Sequence, residues 1–282
     1  MTFIGIPLIT KSSILNECKF PWVNEVKEIV GFEPIFIGCS LVKGCGNDCS
    51  YCWVKYKYEK KNFSNWGPKS GAFHKIEFCK NALDLLVKEL PFLPSNAVII
   101  ASNMTDPFPD IFFESPTYFQ IFKQWLQLLR NNWVLFITKN AKIIRYLDFF
   151  NPERHIIGLS ITGRLTSKEK EKYEPNSSQH LTRIVTLSKA KKMGYKIFAS
   201  IEPPLKPTPE IVQDLINYNL DSATMVCGLA NYELENLWTK EDYIRFYDET
   251  MLLKEKYDLK LSWKADALEK INAWKAKEEL NK

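Results

Sequence analysis

The chain has 282 residues, 45% hydrophobic and 25% charged, with a formal net charge of +5 from 38 basic and 33 acidic side chains. This is ordinary globular composition, long enough for one α/β barrel or two average domains. It excludes two classes: seven cysteines are too few and too unevenly spread for a disulfide scaffold, and no apolar run reaches the length of a membrane span.

The opening MTFIGIPLIT is apolar but lacks a basic n-region and a small-residue cleavage site. A cytoplasmic protein with free thiols is the expectation. The mild basic excess permits a nucleic-acid partner without demanding one.

FEPIFIGC (32–39) is a short β-rich run, followed by a cysteine-bearing loop. Residues 76–90, IEFCKNALDLLVKEL, carry apolar residues at helical spacing until PFLP stops them. NAVIIAS (96–102) predicts a strand, residues 116–131 a helix, WVLFIT (133–138) a strand and NAKIIRYLDFF a short helix. HIIGLSIT (155–162) is a strand, 179–193 a helix stopped by Gly194, and YKIFASIEP (195–203) a strand. A helix from about Pro209 to Asn217 leads to SATMVCGL, the last strong strand. Two charged amphipathic stretches, 240–257 and 264–280, flank a short LKLSW.

Strands that are apolar at nearly every position are buried on both faces, and their alternation with helices marks a parallel sheet. Six such units fit residues 32–230, with residues 1–31 as an N-terminal extension and 231–282 as a mostly helical C-terminal one. Periodicity alone leaves open whether the sheet is a partial barrel or an open doubly wound one.

The chemistry concentrates in GCGNDCSYCW (44–53), where Cys45, Cys49 and Cys52 form C-x3-C-x2-C with Gly44 and Gly46 around the first cysteine. The loop follows the first strand, at the end of the sheet where α/β barrels carry their chemistry. Three thiolates around an iron–sulfur cube leave one iron open. A zinc site completed by Cys39 or His74, and a redox dithiol at Cys49 and Cys52, also fit the spacing.

This motif, with Tyr51 directly before the last cysteine, resembles that of radical S-adenosylmethionine enzymes. Further segments resemble the DNA-repair photolyase-like (spore photoproduct lyase-like) branch: SNMTDPFPD (102–110), FITKN, GLSIT and the run from YEP to IEPP. The resemblance covers about residues 35–205. It implies a partial (β/α)6 barrel with a short helical C-terminal extension, and a [4Fe-4S] cluster on Cys45, Cys49 and Cys52. It also implies S-adenosylmethionine bound at the open iron and cleaved reductively to a 5'-deoxyadenosyl radical, with an electron donor such as flavodoxin or ferredoxin. The cofactor-contacting positions it implies are Tyr51, Thr105, Asp106, Lys139, Ser160 and Arg183, with Glu174 and Pro175 matching a Glu-Pro pair. Glu202, ending the fifth strand, is a candidate pocket group.

One departure concerns Met104, which stands where the branch's namesake has a hydrogen-donating cysteine; a thioether has no S–H to return. Cys227, ending the sixth strand, is the candidate replacement. The branch implies repair or modification of a base in DNA or RNA. The basic and aromatic stretch KYKYEKKNFSNW, with Lys55, Lys57, Lys60 and Lys61 among Tyr56, Tyr58, Phe63 and Trp66, suits phosphates and bases. The same radical chemistry on a small metabolite or protein side chain is the alternative, and a non-enzymatic metal-binding module a third.

Overall fold

The computed structural model describes residues 7–60, 73–229 and 238–280. Short strands β1 (Leu8–Ile9) and β2 (Leu15–Glu17) precede helix α1 (Val23–Val30), then β3 (Ile35–Cys39), β4 (Val42–Lys43) and α2 (Trp53–Lys60). There follow β5 (Glu77–Cys79), α3 (Ala82–Glu89), β6 (Ala97–Ala101), α4 (Ile111–Glu114), α5 (Pro116–Leu129), β7 (Trp133–Thr138) and β8 (His155–Ser160). The remainder is α6 (Ser167–Tyr173), α7 (His180–Lys192), β9 (Lys196–Ile201), α8 (Glu210–Asn217), β10 (Thr224–Cys227), α9 (Lys240–Tyr257), β11 (Leu261–Trp263) and α10 (Ala265–Leu280).

The main sheet has eight strands in the order β11-β10-β9-β8-β7-β6-β3-β2, and β4, β5 and β1 form a small second sheet. Within the main sheet the seven strands β3, β6, β7, β8, β9, β10 and β11 run parallel, and among the described residues only β2 pairs antiparallel there. Each parallel strand lies beside the one before it, with no reversal. That order excludes the doubly wound alternative, in which the strand order reverses at a switch point. The edges β2 and β11 do not pair with each other among the described residues, so the sheet is open.

Side-chain alternation divides the sheet into two faces. Ile37, Ile99, Phe136, Leu159, Ala199 and Cys227 belong to the large core shared with α3, α5, α7, α8 and α9. Phe36, Val98, Leu135, Ile156, Phe198 and Val226 form a separate cluster whose only helical members come from α1. This second face is called the inner one below. Helix α1 is built for it: Val23, Val26 and Val30 recur at i, i+3 and i+7, and Gly31 at φ 83° ends the helix by donating its N–H to the Lys27 carbonyl. Trp22 and Val26 are buried in that cluster, a contribution of about 1.5–3 kcal/mol for each large apolar side chain.

The structure departs from the periodicity reading in three places. Residues 76–90 are not one helix: β5 takes Glu77–Cys79, paired with β1 and β4, before α3 begins. The β-favouring Ile-Glu-Phe-Cys run finds strand partners on both sides, which outweighs its weak helical spacing. Residues 141–149 form two 3-10 turns rather than an α-helix, the first capped by the Asn140 side chain accepting the Lys142 N–H. Within LKLSW, Leu261–Trp263 is a seventh parallel strand, in register with Met225–Cys227.

Candidate functional site

The cysteine loop leaves β3 through Leu41 and β4, and its backbone is fixed by close approach. Gly44 has φ +79°, and a Cβ there would overlap the carbonyl oxygens of Lys75 and Phe73. Only glycine fits, and the next residue, Cys45, donates its N–H to that Phe73 carbonyl at 2.8 Å. Asp48 takes a left-handed φ of 49°. Cys52 lies directly before α2, and its Sγ accepts the backbone N–H of Lys55 at 3.4 Å. Lys55 in turn pairs with Asp48 at 2.6 Å, closing α2 back onto the loop.

The loop also reaches across the sheet. Cys49 and Tyr51 pack with Tyr173 and Leu205, which follow β8 and β9. Ser50 N–H donates to the Tyr173 carbonyl at 3.1 Å, and the Asn176 amide donates to the Gly46 carbonyl at 2.8 Å. The loop of the first parallel strand thus roofs the C-terminal ends of the fourth and fifth.

Burial pushes the Cys45 thiol up to about 12, assisted by the nearby Asp106 carboxylate. Burial likewise raises Cys49, although Lys139 opposes the shift. Among the described residues no three Cys, His, Asp or Glu side chains converge as a preformed metal site. The donor chemistry still suits a soft, electron-rich cluster: three thiols on one loop, with a backbone N–H on one sulfur. The fourth ligands considered for zinc do not join them. Cys39 is fully buried in the outer core, and His74 is exposed.

Glu174 organises the floor beside this loop. It is fully buried and accepts from the Tyr51 hydroxyl, from Arg183, from Thr162 at 3.1 Å and from Ser177 at 3.2 Å. Lys139 Nζ stands 3.6 Å from it and 5.5 Å from the centre of the Tyr51 ring. Burial alone would raise the Glu174 carboxyl; the Arg183 and Lys139 charges and the hydrogen bonds of Arg183 and Tyr51 override it and hold it at about 2. Arg183 is itself buried and donates further to the carbonyls of Ser178 and Ser160, both at 2.8 Å, and to Ser177 at 2.6 Å. Its donors are therefore committed to protein groups.

The other sequence-selected residues divide between roles. Asp106 accepts from Asn47 at 2.7 Å, Thr138 at 2.6 Å, Lys139 N–H at 2.8 Å and Phe108 N–H at 2.9 Å. It ties the cysteine loop to the end of β7 rather than presenting a free carboxylate. Thr105 sits in the same turn, and its buried Oγ1 lacks any hydrogen-bond partner among the described residues. Such an orphaned hydroxyl is what a bound polar group would satisfy. Ser160 is on the inner face by alternation with Ile156, and its hydroxyl takes no hydrogen bond among the described residues. Cys227, by contrast, is fully buried on the outer face, where it cannot donate a hydrogen atom toward the mouth of the inner face. Asn47, Thr162 and Ser177 escaped sequence reasoning, since a small polar residue in a loop carries no periodic signal.

No family model matches the sequence, and no curated protein does. Solved structures do match. A doubly substituted spore photoproduct lyase with bound AdoMet and dinucleoside spore photoproduct gives a TM-score of 0.60 at 14% identity, over 91% of this chain and 80% of that one. The fold resembles that of spore photoproduct lyase. A second form, complexed with dinucleoside spore photoproduct, gives 0.56 at 15% identity over 79% of this chain and 74% of the other. At such identities the spore photoproduct lyase likeness is one of architecture: a large mixed sheet with flanking helices. Among the described residues no helix is long and apolar enough to cross a membrane.

Proposed function

We propose that the protein is a radical S-adenosylmethionine enzyme acting on a base in nucleic acid, with residues 32–230 as its catalytic core. The observation that carries this is the three-cysteine loop held over the Lys139–Glu174–Arg183 group at the C-terminal ends of the parallel strands. Cys45, Cys49 and Cys52 would hold a [4Fe-4S] cluster through three of its irons. When bound, the cluster and S-adenosylmethionine would supply one-electron reductive cleavage of the cofactor and, through it, hydrogen-atom abstraction from the substrate. The electron comes from a reduced flavodoxin- or ferredoxin-class protein.

The residues of this chain orient and shield. Lys139 and Arg183 put two positive charges beside the single negative charge of Glu174, and Arg183 alone pairs closely with it. The surplus charge of Lys139 suits the carboxylate of the cofactor's methionine. Thr105 offers its unsatisfied hydroxyl, Ser160 a second one, and Tyr51 packs between the cluster cysteines and Lys139. Arg183 and Asp106 serve as positioning residues, the first through Glu174 and the second through the cysteine loop.

The nucleic-acid reading draws on the fold likeness and on α2, where exposed Trp53 lies under Lys57 at 5.4 Å. Lys61, Phe63 and Trp66 of the same stretch lie outside the described residues, as does the side chain of Lys60.

The test is anaerobic reconstitution followed by reduction with S-adenosylmethionine. About four irons per chain are expected, lost on Cys45→Ala, Cys49→Ala or Cys52→Ala, with 5'-deoxyadenosine formed only by the wild type. Stoichiometric zinc without iron would overturn the reading. With deuterated cofactor, label entering an oligonucleotide base supports the substrate class. Cofactor cleavage with no interaction with oligonucleotides, even at low salt, transfers the assignment to a small substrate or a protein side chain.

A further inference from the structure

Three inner-face positions at the C-terminal ends of β9, β10 and β11 form a unit that the cofactor reading does not use. Phe198 and Val226 belong to the inner cluster, so alternation places Glu202 and Gly228 on the same face. Leu261 and Trp263 belong to the outer core, which puts Lys264 on the inner one. Glu202 Oε1 accepts from Lys264 Nζ at 2.7 Å, across the end of the intervening strand. Glycine leaves room for the crossing: a Cβ on Gly228 would stand 2.8 Å from Glu202 Cδ and 2.9 Å from Oε1, so the Glu202 side chain would have to shift away from it. Both side chains retain about a fifth of their surface exposed, at 23% and 22%.

This pair lies under the same roof as the cysteines. Leu205, three residues beyond Glu202, packs against Cys49 and Tyr51. Lys139 and Glu202 each end an inner-face row, on β7 and β9, two strand spacings or roughly 10 Å apart across the sheet. Between them the inner-face neighbours Ser160 and Ser200 stand in register, and neither hydroxyl is hydrogen-bonded among the described residues. Glu202 is an acceptor with its Oε2 free of hydrogen bonds among the described residues, and the Lys264 ammonium is a donor with two of three hydrogens unused. Together they present an acceptor beside a donor. The complement is a ligand edge that sets an N–H beside an acceptor atom, as the hydrogen-bonding edge of a nucleobase does.

We propose that Glu202 and Lys264 read the hydrogen-bonding edge of a nucleobase in the mouth of the inner face. The inference rests on the mouth being the radical S-adenosylmethionine site, and it deepens that reading by assigning residues to a base. Two sources carry this chemistry, a base of the substrate and the adenine of the cofactor, and one experiment separates them.

The reconstituted protein with its cluster oxidised is titrated anaerobically, without turnover, with uridine, N3-methyluridine, adenosine and S-adenosylmethionine. Ligand-observed NMR is the readout, on wild type, Glu202→Gln, Lys264→Met and Gly228→Ala. A substrate-base site binds uridine about tenfold or more tighter than N3-methyluridine, which lacks the donor, the usual weight of a hydrogen bond to a charged group. Glu202→Gln and Gly228→Ala then weaken uridine by a similar factor and leave S-adenosylmethionine affinity within about twofold. A cofactor-adenine site shows the reverse, with adenosine and S-adenosylmethionine weakened together. Equal affinity of wild type for uridine and its N3-methyl form, with adenosine and S-adenosylmethionine unaffected by all three variants, overturns the proposal. The methylated ligand keeps the test valid even where a variant fails to fold. Because binding is read without turnover, loss of base recognition in a protein that still cleaves the cofactor counts against this inference alone. Base recognition in a protein that never cleaves it counts against the radical chemistry alone.

Discussion

Replacing Glu174 with Gln tests whether the buried carboxylate is the hub it is in the structure. The substitution keeps the shape of the side chain and removes its charge, leaving the buried guanidinium of Arg183 without a counter-ion. The folded carboxyl lies at about 2 against an ordinary value of 4.5. At 1.36 kcal/mol per unit this difference amounts to about 3 kcal/mol of stability near neutrality. Removing one partner of a buried pair costs a similar ~3–5 kcal/mol. For a chain of this size that lowers the melting temperature by roughly 5–8 °C.

The pH dependence fixes the sign. The folded value lies below the unfolded one, so the contribution is complete above about pH 4.5 and is lost as pH falls toward 2. Thermal unfolding of wild type and Glu174→Gln, followed by circular dichroism from pH 7 to pH 3, should show a wide gap at pH 7 that closes by more than half at pH 3. Other carboxylates titrate in both proteins and cancel in the difference. A gap under about 2 °C at pH 7, or one that does not change with pH, refutes the argument.

Gly44→Ala should cost at least ~1–2 kcal/mol from the left-handed backbone alone, with the carbonyl overlap added, and should lower both melting temperature and reconstituted iron. Lys139→Met should leave iron content intact while weakening S-adenosylmethionine about tenfold or more in equilibrium binding, because Glu174 keeps Arg183 as its close partner while the cofactor carboxylate loses its cation. If an oligonucleotide is bound along α2, the slope of log affinity against log salt should fall by about 0.7 for each phosphate contact removed. Lys55→Gln should show only part of that change, since Lys55 is already paired with Asp48.

The parts legible in the sequence were those with a period or a spacing. The largely apolar runs at 97–101, 133–138 and 155–160 became strands, as short runs rich in β-branched residues do in a sheet buried on both faces. The cysteine spacing was equally plain. What stayed hidden depends on contacts distant in sequence. Asp106 reads as a turn aspartate, and it does accept the Phe108 N–H, yet its other donors come from residues 47, 138 and 139. Strand Leu261–Trp263 is only three residues long and forms because Met225–Cys227 offers a parallel edge. Arg183 sits in the helix at 180–192, where its local sequence is that of a surface turn, and only tertiary packing buries it against Glu174.

The open sheet raises a question that its loops answer. Among the described residues strands β2 and β11 do not pair with each other, so sheet hydrogen bonds between them do not hold the far strands near the cysteines. The closure is made at the top instead. Cys49 and Tyr51 pack on Leu205, Ser50 bonds Tyr173, and Tyr51 bonds Glu174, so the loop after β3 is stapled to segments after β8 and β9. Every staple falls within the loop's cysteine span or on the residue between two cysteines. Ordering those cysteines around a ligand would therefore tighten the roof over the inner face as well as complete a metal site, and loss of the ligand would loosen both together. An iron–sulfur site placed on an isolated excursion would show no such coupling. The same geometry explains why Glu174 must be a buried anion: one carboxylate joins the roof through Tyr51, the floor through Thr162 and the helix layer through Arg183, and a neutral side chain would leave the last of these charges unpaired.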